Sequence, residues 1–484
     1  MDLSEDGIQH LVSEIKDHQL IHGSLLKLVK YEELSTVPAR PVGVSMVSTP
    51  FPHRSFQEAF SLQPIFNELY LRAAGNEVWL YSVLGPLLKH DAFFASLWDV
   101  FTAVKRAGVV QQVCCGIFRS DYMDHHGPTY KGIKQVEMNT FSVAGAAHAD
   151  RVIKMHHHLD RIGAPGHSRY SNSERLPNRT SNVQAIVECL TEAHRLHDAE
   201  NPAKSCVLMV VQPRNFNIAD ERPIEYGLWD ENVPCFRCEW QAVLESTILT
   251  EERILFFDSP HRRRMEVSVI YYRAGYEAEE YDELGKQTRL RLELSKAIKC
   301  PDVLTHLTTF KTVQQALCSQ DAVRRFLPAE QAVQIARTFM EMHVLDNTAE
   351  GERVRQWIVD PEHAQNYVLK PNLEGGGHNV FGEDIPDFLS TIPKGEWNRY
   401  TVMRMIRQPD SEGLLMMPAD LYQGPVVSEL GILGTCIWKR KGDEVEVLRN
   451  AAAGFTFKTK PSEVQEMSVV KGYGCFDCPL LYDP

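Results

Sequence analysis

Three consecutive glycines, Gly375, Gly376 and Gly377, follow Lys370 and Glu374 in the stretch Tyr367-Val-Leu-Lys-Pro-Asn-Leu-Glu-Gly-Gly-Gly-His-Asn-Val-Phe-Gly382. Glycine has no Cβ, so a run of it lets several backbone N–H groups turn towards one anion. Lys370 adds a point charge for the same anion, and Glu374 offers a hard oxygen to a cation bridging phosphates. The glycines alone would read as a surface turn; the flanking charges point to a phosphate ligand. No Gly-x-x-x-x-Gly-Lys-Ser/Thr occurs, so this is not a Walker loop. His-Arg-Asp and Asp-Phe-Gly are absent too, which sets the protein kinases aside.

A second group of hard oxygens lies in Lys134-Gln-Val-Glu-Met-Asn-Thr-Phe-Ser142. Val136 and Met138 alternate with Glu137 and Asn139, the pattern of a half-buried strand, so carboxylate and amide share a face. Such a pair suits Mg²⁺, which takes one or two protein oxygens together with phosphates and water. Two arginines complete the set. The apolar run from Val113 is expected to be a strand ending at Arg119, and Val267–Tyr272 a strand ending at Arg273. The C-terminal edge of a strand is a common place for ligand contacts in α/β sheets.

The elements that must hold these groups follow from periodicity. Ile8, Leu11, Val12 and Ile15 predict an amphipathic first helix, and Ala59, Phe60, Phe66 and Leu69 a second over about 56–75. Residues 84–107 read as further helix. Residues 167–182 are polar and loop-like. From Cys206 the pattern becomes strand (206–211), helix (about 222–229) and strands near 254–257 and 267–272, a compact α/β unit. Residues 286–299 and 312–342 read as helices, the second interrupted by Pro328. Tyr367–Leu369 and Tyr400–Ile406 are strands flanking the glycines. Val426–Ile437 is expected to pair with Glu444–Leu448 through Lys439-Arg-Lys-Gly-Asp443 as a hairpin. The strands on both sides of the glycines are expected to form a small sheet that closes over a nucleotide.

Composition narrows the partners. Lys and Arg number 51 against 64 Asp and Glu, a formal net charge of −13. That excess opposes non-specific binding to nucleic acid or an anionic membrane. The acidic N-terminus lacks an apolar h-region, no run approaches spanning length, and eleven scattered cysteines fit reduced thiols; a cytoplasmic location is expected. The pairs Cys235/Cys238 and Cys475/Cys478 are far apart, and incidental burial is expected over a shared zinc. Consecutive His156, His157 and His158 cannot converge on one ion from a helix and are expected on a solvated face.

Several strings, in order and spacing, resemble eukaryotic glutathione synthetase, an ATP-grasp ligase, over nearly the whole chain. They are Arg119-Ser-Asp-Tyr-Met, Gln135-Val-Glu-Met-Asn-Thr, Arg273-Ala-Gly-Tyr, Lys299-Cys-Pro-Asp, Lys311-Thr-Val-Gln-Gln, Leu369-Lys-Pro-Asn-Leu-Glu-Gly-Gly-Gly and Ser428-Glu-Leu-Gly-Ile. The resemblance implies a mixed α/β (α+β) ATP-grasp fold. Residues 1–204 and 311–484 would form the body, with a glycine-rich lid within about 365–450, and residues 205–310 a small substrate domain. It implies ATP and Mg²⁺, two ions, as cofactors. Glu137, Asn139 and Glu374 match the family's metal ligands. Lys311, Lys370, Glu374, Gly375, Gly376, Gly377, Asn379, Met403, Ile406, Glu429 and Lys460 match its ATP contacts. Arg119, Ser142, Asn217, Arg273, Tyr276, Lys458, Val469 and Val470 match positions that hold substrate, and Arg119, Lys370 and Lys458 are the groups nearest the chemistry. The family forms homodimers and joins γ-glutamyl-cysteine to glycine.

The sequence departs from that pattern chiefly on the peptide side. Lys458-Thr-Lys460 stands for Arg-Thr-Lys, and lysine cannot reproduce a bidentate fork. Met467-Ser-Val-Val-Lys-Gly472 replaces a Gly-Gly-Val-Ala-Ala-Gly loop. Ala144, Asn215, Glu221 and Phe381 stand where serine, glutamate, glutamine and tyrosine are usual. Three readings follow: glutathione synthetase proper, a ligase of the same type with a changed acid or amine, and a non-catalytic nucleotide-binding protein.

Overall fold

A computed structural model describes residues 3–31, 35–167, 174–178, 181–197, 204–259, 264–372 and 378–483. The strands that matter to the site are β1 (Val113–His126), β2 (Lys131–Asn139), β3 (Ser205–Val211), β4 (Cys235–Glu239), β5 (Met265–Arg273), β6 (Ile298–Cys300), β7 (Met342–Val344), β8 (Tyr367–Pro371), β9 (Val380–Phe381), β10 (Tyr400–Arg404), β11 (Ser411–Met416), β12 (Leu421–Lys441), β13 (Glu444–Pro461) and β14 (Cys475–Phe476).

The long hairpin β12–β13 is the spine. Gly442, with φ of 62°, takes the left-handed turn between Lys441 and Asp443 that an L side chain resists. Residues 421–429 alternate in burial, whereas Leu430–Trp438 is buried on both faces. The reason is packing on both sides, by the helix His53–Gly75 on one and by Asn182–Leu196 on the other. From β12 the large sheet runs one way through β1, then parallel β6, β5 and β3, to β4. The other way it passes β11, Val44–Ser45 and β14 and returns to β13, closing a ring of strands. A separate four-stranded sheet, in the order β7-β10-β8-β9, carries the ends of the glycine stretch.

The first two helices run Glu5–His22 and His53–Gly75, with the anticipated apolar residues facing inward. Other expectations need correction. The stretch 84–107 is broken: Gly85–Lys89 is a 3₁₀ turn, and the next helix starts afresh at Ala92, where Asp91 accepts from Phe94 N at 2.9 Å. Residues 286–299 are not all helix, because Ile298–Cys300 pairs with both β5 and β1. Residues 312–342 break into Lys311–Leu317, Gln320–Val323, which Ser319 caps, and Ala329–Ala336, which starts after Pro328, and Met342 already belongs to β7. Residues 426–448 form the expected hairpin but belong to the large sheet rather than to the small one.

Arg119 is not at a strand end; β12 pairs beside β1 as far as Tyr122, and β2 pairs with it on to His126. His156 is not solvated. It lies fully buried between Ser48 Oγ (3.1 Å) and Asp477 Oδ1 (3.7 Å), and burial keeps its imidazole neutral, well below the usual histidine range. Among the described residues no group of His, Cys, Asp or Glu is arranged to hold a metal as a cluster of three, and the four CxxC cysteines are free and buried. No described helix is long and apolar enough to cross a membrane.

Candidate functional site

One cleft of about 1370 Å³ opens between the large sheet and the four-stranded one. Every described residue of the expected site lines it, from Arg119, Glu137 and Asn139 to Lys458, Val469 and Val470. Glu374, Gly375, Gly376 and Gly377 lie outside the described residues.

The floor is built by β1 and β2. Asp121 pairs with Glu137 and Tyr122 with Gln135, so Val136 is the extra residue of a bulge. The simple alternation expected for this strand is therefore interrupted at Val136, which lines the cleft beside Glu137. Its carbonyl accepts from Lys370 Nζ at 2.9 Å, placing an almost fully buried ammonium at the end of β8. Lys311, the first residue of its helix, donates to Glu137 Oε2 at 2.9 Å. Asn372 ties that helix to β8: its Oδ1 accepts from Thr312 N at 3.0 Å and its Nδ2 donates to Thr312 Oγ1 at 3.0 Å.

Burial opposes ionisation of Glu137, but Lys311, Lys370 and Arg119 together hold its carboxyl well below the usual range. Burial lowers the Lys370 ammonium, and Glu137 opposes that shift. Asn139 donates from Nδ2 to Glu137 Oε1 and to Asp121 Oδ2, both at 3.1 Å. Its Oδ1 accepts no described hydrogen bond, so an ionised carboxylate and an amide oxygen stand side by side. This donor set fits Mg²⁺.

Glu429 on β12 and Lys458 on β13 are direct cross-strand partners joined by a short hydrogen bond, and Phe476 is opposite Lys458 on β14. Burial, together with the nearby Asp121, pushes the Glu429 carboxyl up against the pull of Lys458. Lys460 is buried and donates to Val464 O. At the mouth, Asn379 Nδ2 donates to Glu466 Oε1 at 2.9 Å. Met403 packs with Met340, Met342 and Val368, with Phe381 and Ile406 against them, and Val368, Phe381, Met403 and Ile406 give the cleft an apolar lining.

The far end comes from the unit 205–310 and the start of the helix Ala146–Arg161. Arg273, at the end of β5 as anticipated, is 4% exposed and contacts Val143 O, Asp220 (3.3 Å) and Glu221 (3.5 Å). Asp220 also accepts from Gly145 N and Ala147 N, both at 2.9 Å, capping that helix. Asn217 Oδ1 meets His148 Nε2 at 3.2 Å, and Tyr276 lies beyond Arg273. Ser142 has φ of 49°, a left-handed backbone that turns the chain out of β2 into the cleft. Of the divergent positions, Asn215 donates to Glu221 Oε2, and Arg237 pairs with the same oxygen at 3.0 Å.

Asp121, Asn372 and Glu466 were not foreseen. For Asp121 a signal existed: Arg119-x-Asp121 on a strand places both side chains on one face.

The family model described as "Eukaryotic glutathione synthase, ATP binding domain" matches residues 5–481. The glutathione synthetase large chain of Schizosaccharomyces pombe is 31% identical over 485 residues, covering 97% of this chain and 96% of its own. The glutathione synthetase of Mus musculus is 30% identical over 481 residues, covering 98% and 97%. Among solved structures, a glutathione synthetase-like effector from Globodera pallida shares the fold, with a TM-score of 0.75 at 19% identity, covering 99% of this chain and 98% of its own.

Proposed function

This chain belongs to the eukaryotic glutathione synthetase family, with its ATP-grasp fold, and from that premise we propose that it is an ATP- and Mg²⁺-dependent C–N ligase joining the carboxylate of γ-glutamyl-cysteine to glycine through an acyl phosphate. The observation that carries the reading is the convergence in one cleft of Lys311, Lys370, Glu137 and Asn139 with Arg119 and Arg273. A carboxylate does not condense with an amine in water. The γ-phosphoryl group of ATP first passes to the carboxylate oxygen and ADP leaves. The amine then attacks the acyl carbon, phosphate departs, and the amine's proton is lost.

Lys370 and Lys311, each 5% exposed, supply positive charge where the transferring phosphoryl group gathers negative charge. Glu137, Asn139 and Glu374 would hold Mg²⁺, which, when bound, neutralises phosphate charge. Arg119 and Arg273 orient the acid, and Lys458 faces the amine's carboxylate. A glycine-rich lid within about 365–450, closing over the site, would keep water from the acyl phosphate. The reading includes two Mg²⁺ ions, a body of residues 1–204 and 311–484 with a substrate domain at 205–310, a cytoplasmic homodimer, and no nucleic-acid or membrane partner.

A second reading, a ligase with a changed acid or amine, is favoured by one feature. Lys458, the residue expected to meet the amine's carboxylate, is already engaged by Glu429 in a cleft that Val470 and Lys471 also line. Phosphate release and product mass with γ-glutamyl-cysteine and glycine, β-alanine, serine or other amines separate the two. Glutathione as the preferred product supports the first; another amide supports the second.

A further inference from the structure

Asp121 lies on β1 two residues after Arg119, 1% exposed, opposite Gly431 on one neighbouring strand and Glu137 on the other. Its two oxygens accept from Arg119 Nε at 2.6 Å and Nη2 at 2.8 Å, a bidentate clamp. Nη1 of the same guanidinium donates to Ala144 O at 3.0 Å. A guanidinium has five N–H groups in a rigid plane. Three are engaged here, which leaves one each on Nη1 and Nη2 with no described partner. The one on Nη2 lies on the end-on edge of the guanidinium, turned away from Asp121, where a second carboxylate can be met.

Asp121 Oδ2 also accepts from Asn139 Nδ2, whose other N–H goes to Glu137. Turning the Asn139 amide over would set its oxygen against two carboxylates. The pair of acids therefore fixes Oδ1 as the atom offered to a cation. Gly431 leaves room for the arrangement: a Cβ there would lie 2.5 Å from Asp121 Oδ1 and 2.8 Å from Arg119 Cδ.

We propose that Asp121 is a positioning residue that aims both the acid-binding fork of Arg119 and the cation-binding oxygen of Asn139. The inference rests on the ligase reading and names the group that ties its acid and metal halves together. The neutral amide introduced by Asp121→Asn would accept at one atom only, loosening the fork, and would remove one of the two charges holding the Asn139 amide.

The test uses binding as well as turnover. Mn²⁺ affinity is measured by electron paramagnetic resonance in the presence of β,γ-methylene-ATP, and γ-glutamyl-cysteine affinity by calorimetry, for the parent, Asp121→Asn, and the swap Asp121→Asn with Asn139→Asp. Removal of such an outer partner weakens metal binding by about 10–100-fold. Asp121→Asn is expected to lose at least about tenfold for both ligands. The swap restores an amide-to-carboxylate contact between 121 and 139 but sets the new carboxylate at 139 against Glu137, so it is expected to regain part of the Mn²⁺ affinity and none of the acid affinity. Asp121→Asn binding both ligands as the parent does, or a swap no better than the single variant for Mn²⁺, would overturn the inference. Should Asp121→Asn fail to fold, a folded swap variant with parental acid affinity overturns it equally. A parent that binds both ligands yet releases no phosphate with any acid–amine pair sinks the ligase reading instead.

Discussion

Glu137→Gln removes a negative charge that faces Lys311 and Lys370 at the cleft floor. At 2.9 Å from Lys311, the gross attraction at an effective dielectric of about 20 is roughly 6 kcal/mol. Desolvation cancels part of it, and breaking a fully buried pair costs about 3–5 kcal/mol. The Glu137 side chain keeps 25% of its surface exposed, and glutamine retains an acceptor for Asn139, so we expect a loss of about 2–3 kcal/mol. The carboxyl is depressed in the folded state, burial being outweighed by Lys311, Lys370 and Arg119. Its contribution is therefore complete above the unfolded carboxylate range, about pH 4.3, and is lost as pH falls through the folded value. Urea midpoints of parent and variant should differ most at pH 6–8, and the gap should begin to narrow only as pH falls below about 4. In phosphate-release assays the variant should need about 10–100-fold more Mg²⁺. Equal midpoints at pH 7 together with an unchanged Mg²⁺ requirement would refute the reasoning.

Three further outcomes are expected. Gly431→Ala puts a methyl group 2.5 Å from Asp121 Oδ1 and from Thr456 Oγ1; calorimetry should show about 1–3 kcal/mol of destabilisation, with a raised KM for the acid. Lys458→Gln should raise the KM for the amine about tenfold, as expected for a lost charged contact, while leaving Mn²⁺-nucleotide affinity within about twofold; steady-state kinetics and resonance titration check the split. Asn372→Ala removes the side-chain hydrogen bonds to Thr312 and should cost about 1–2 kcal/mol, read as a lower melting temperature, with poorer nucleotide binding because Lys311 starts that helix.

What could be read from the chain was local. Alternation at Val136–Asn139 and the apolar run before Lys370 reported strands, and Gly442 marked the turn of the hairpin. What escaped depended on distant partners. Arg119 falls inside β1 because β12, more than 300 residues away in sequence, pairs beside it through Tyr122 and β2 pairs on to His126. His156 is buried because Ser48 and Asp477 meet it from opposite ends of the chain. Residues 298–300 become strand because β5 and β1 leave a place between them, against a helical pattern that precedes it. The family-level resemblance drew the expected side chains from all parts of the sequence, and the structure brings those it describes to one cleft. The bulge at Val136 and the Asp121 clamp were invisible to periodicity, because one extra residue in a strand leaves no mark until its partner is known.

The most direct measurement is phosphate release from ATP by the purified protein with γ-glutamyl-cysteine alone, with an amine alone, and with both. Sustained release should occur only when acid and amine are present together, one amide forming per phosphate. Release that ignores the amine, or none with any pair while nucleotide still binds, would contradict the account.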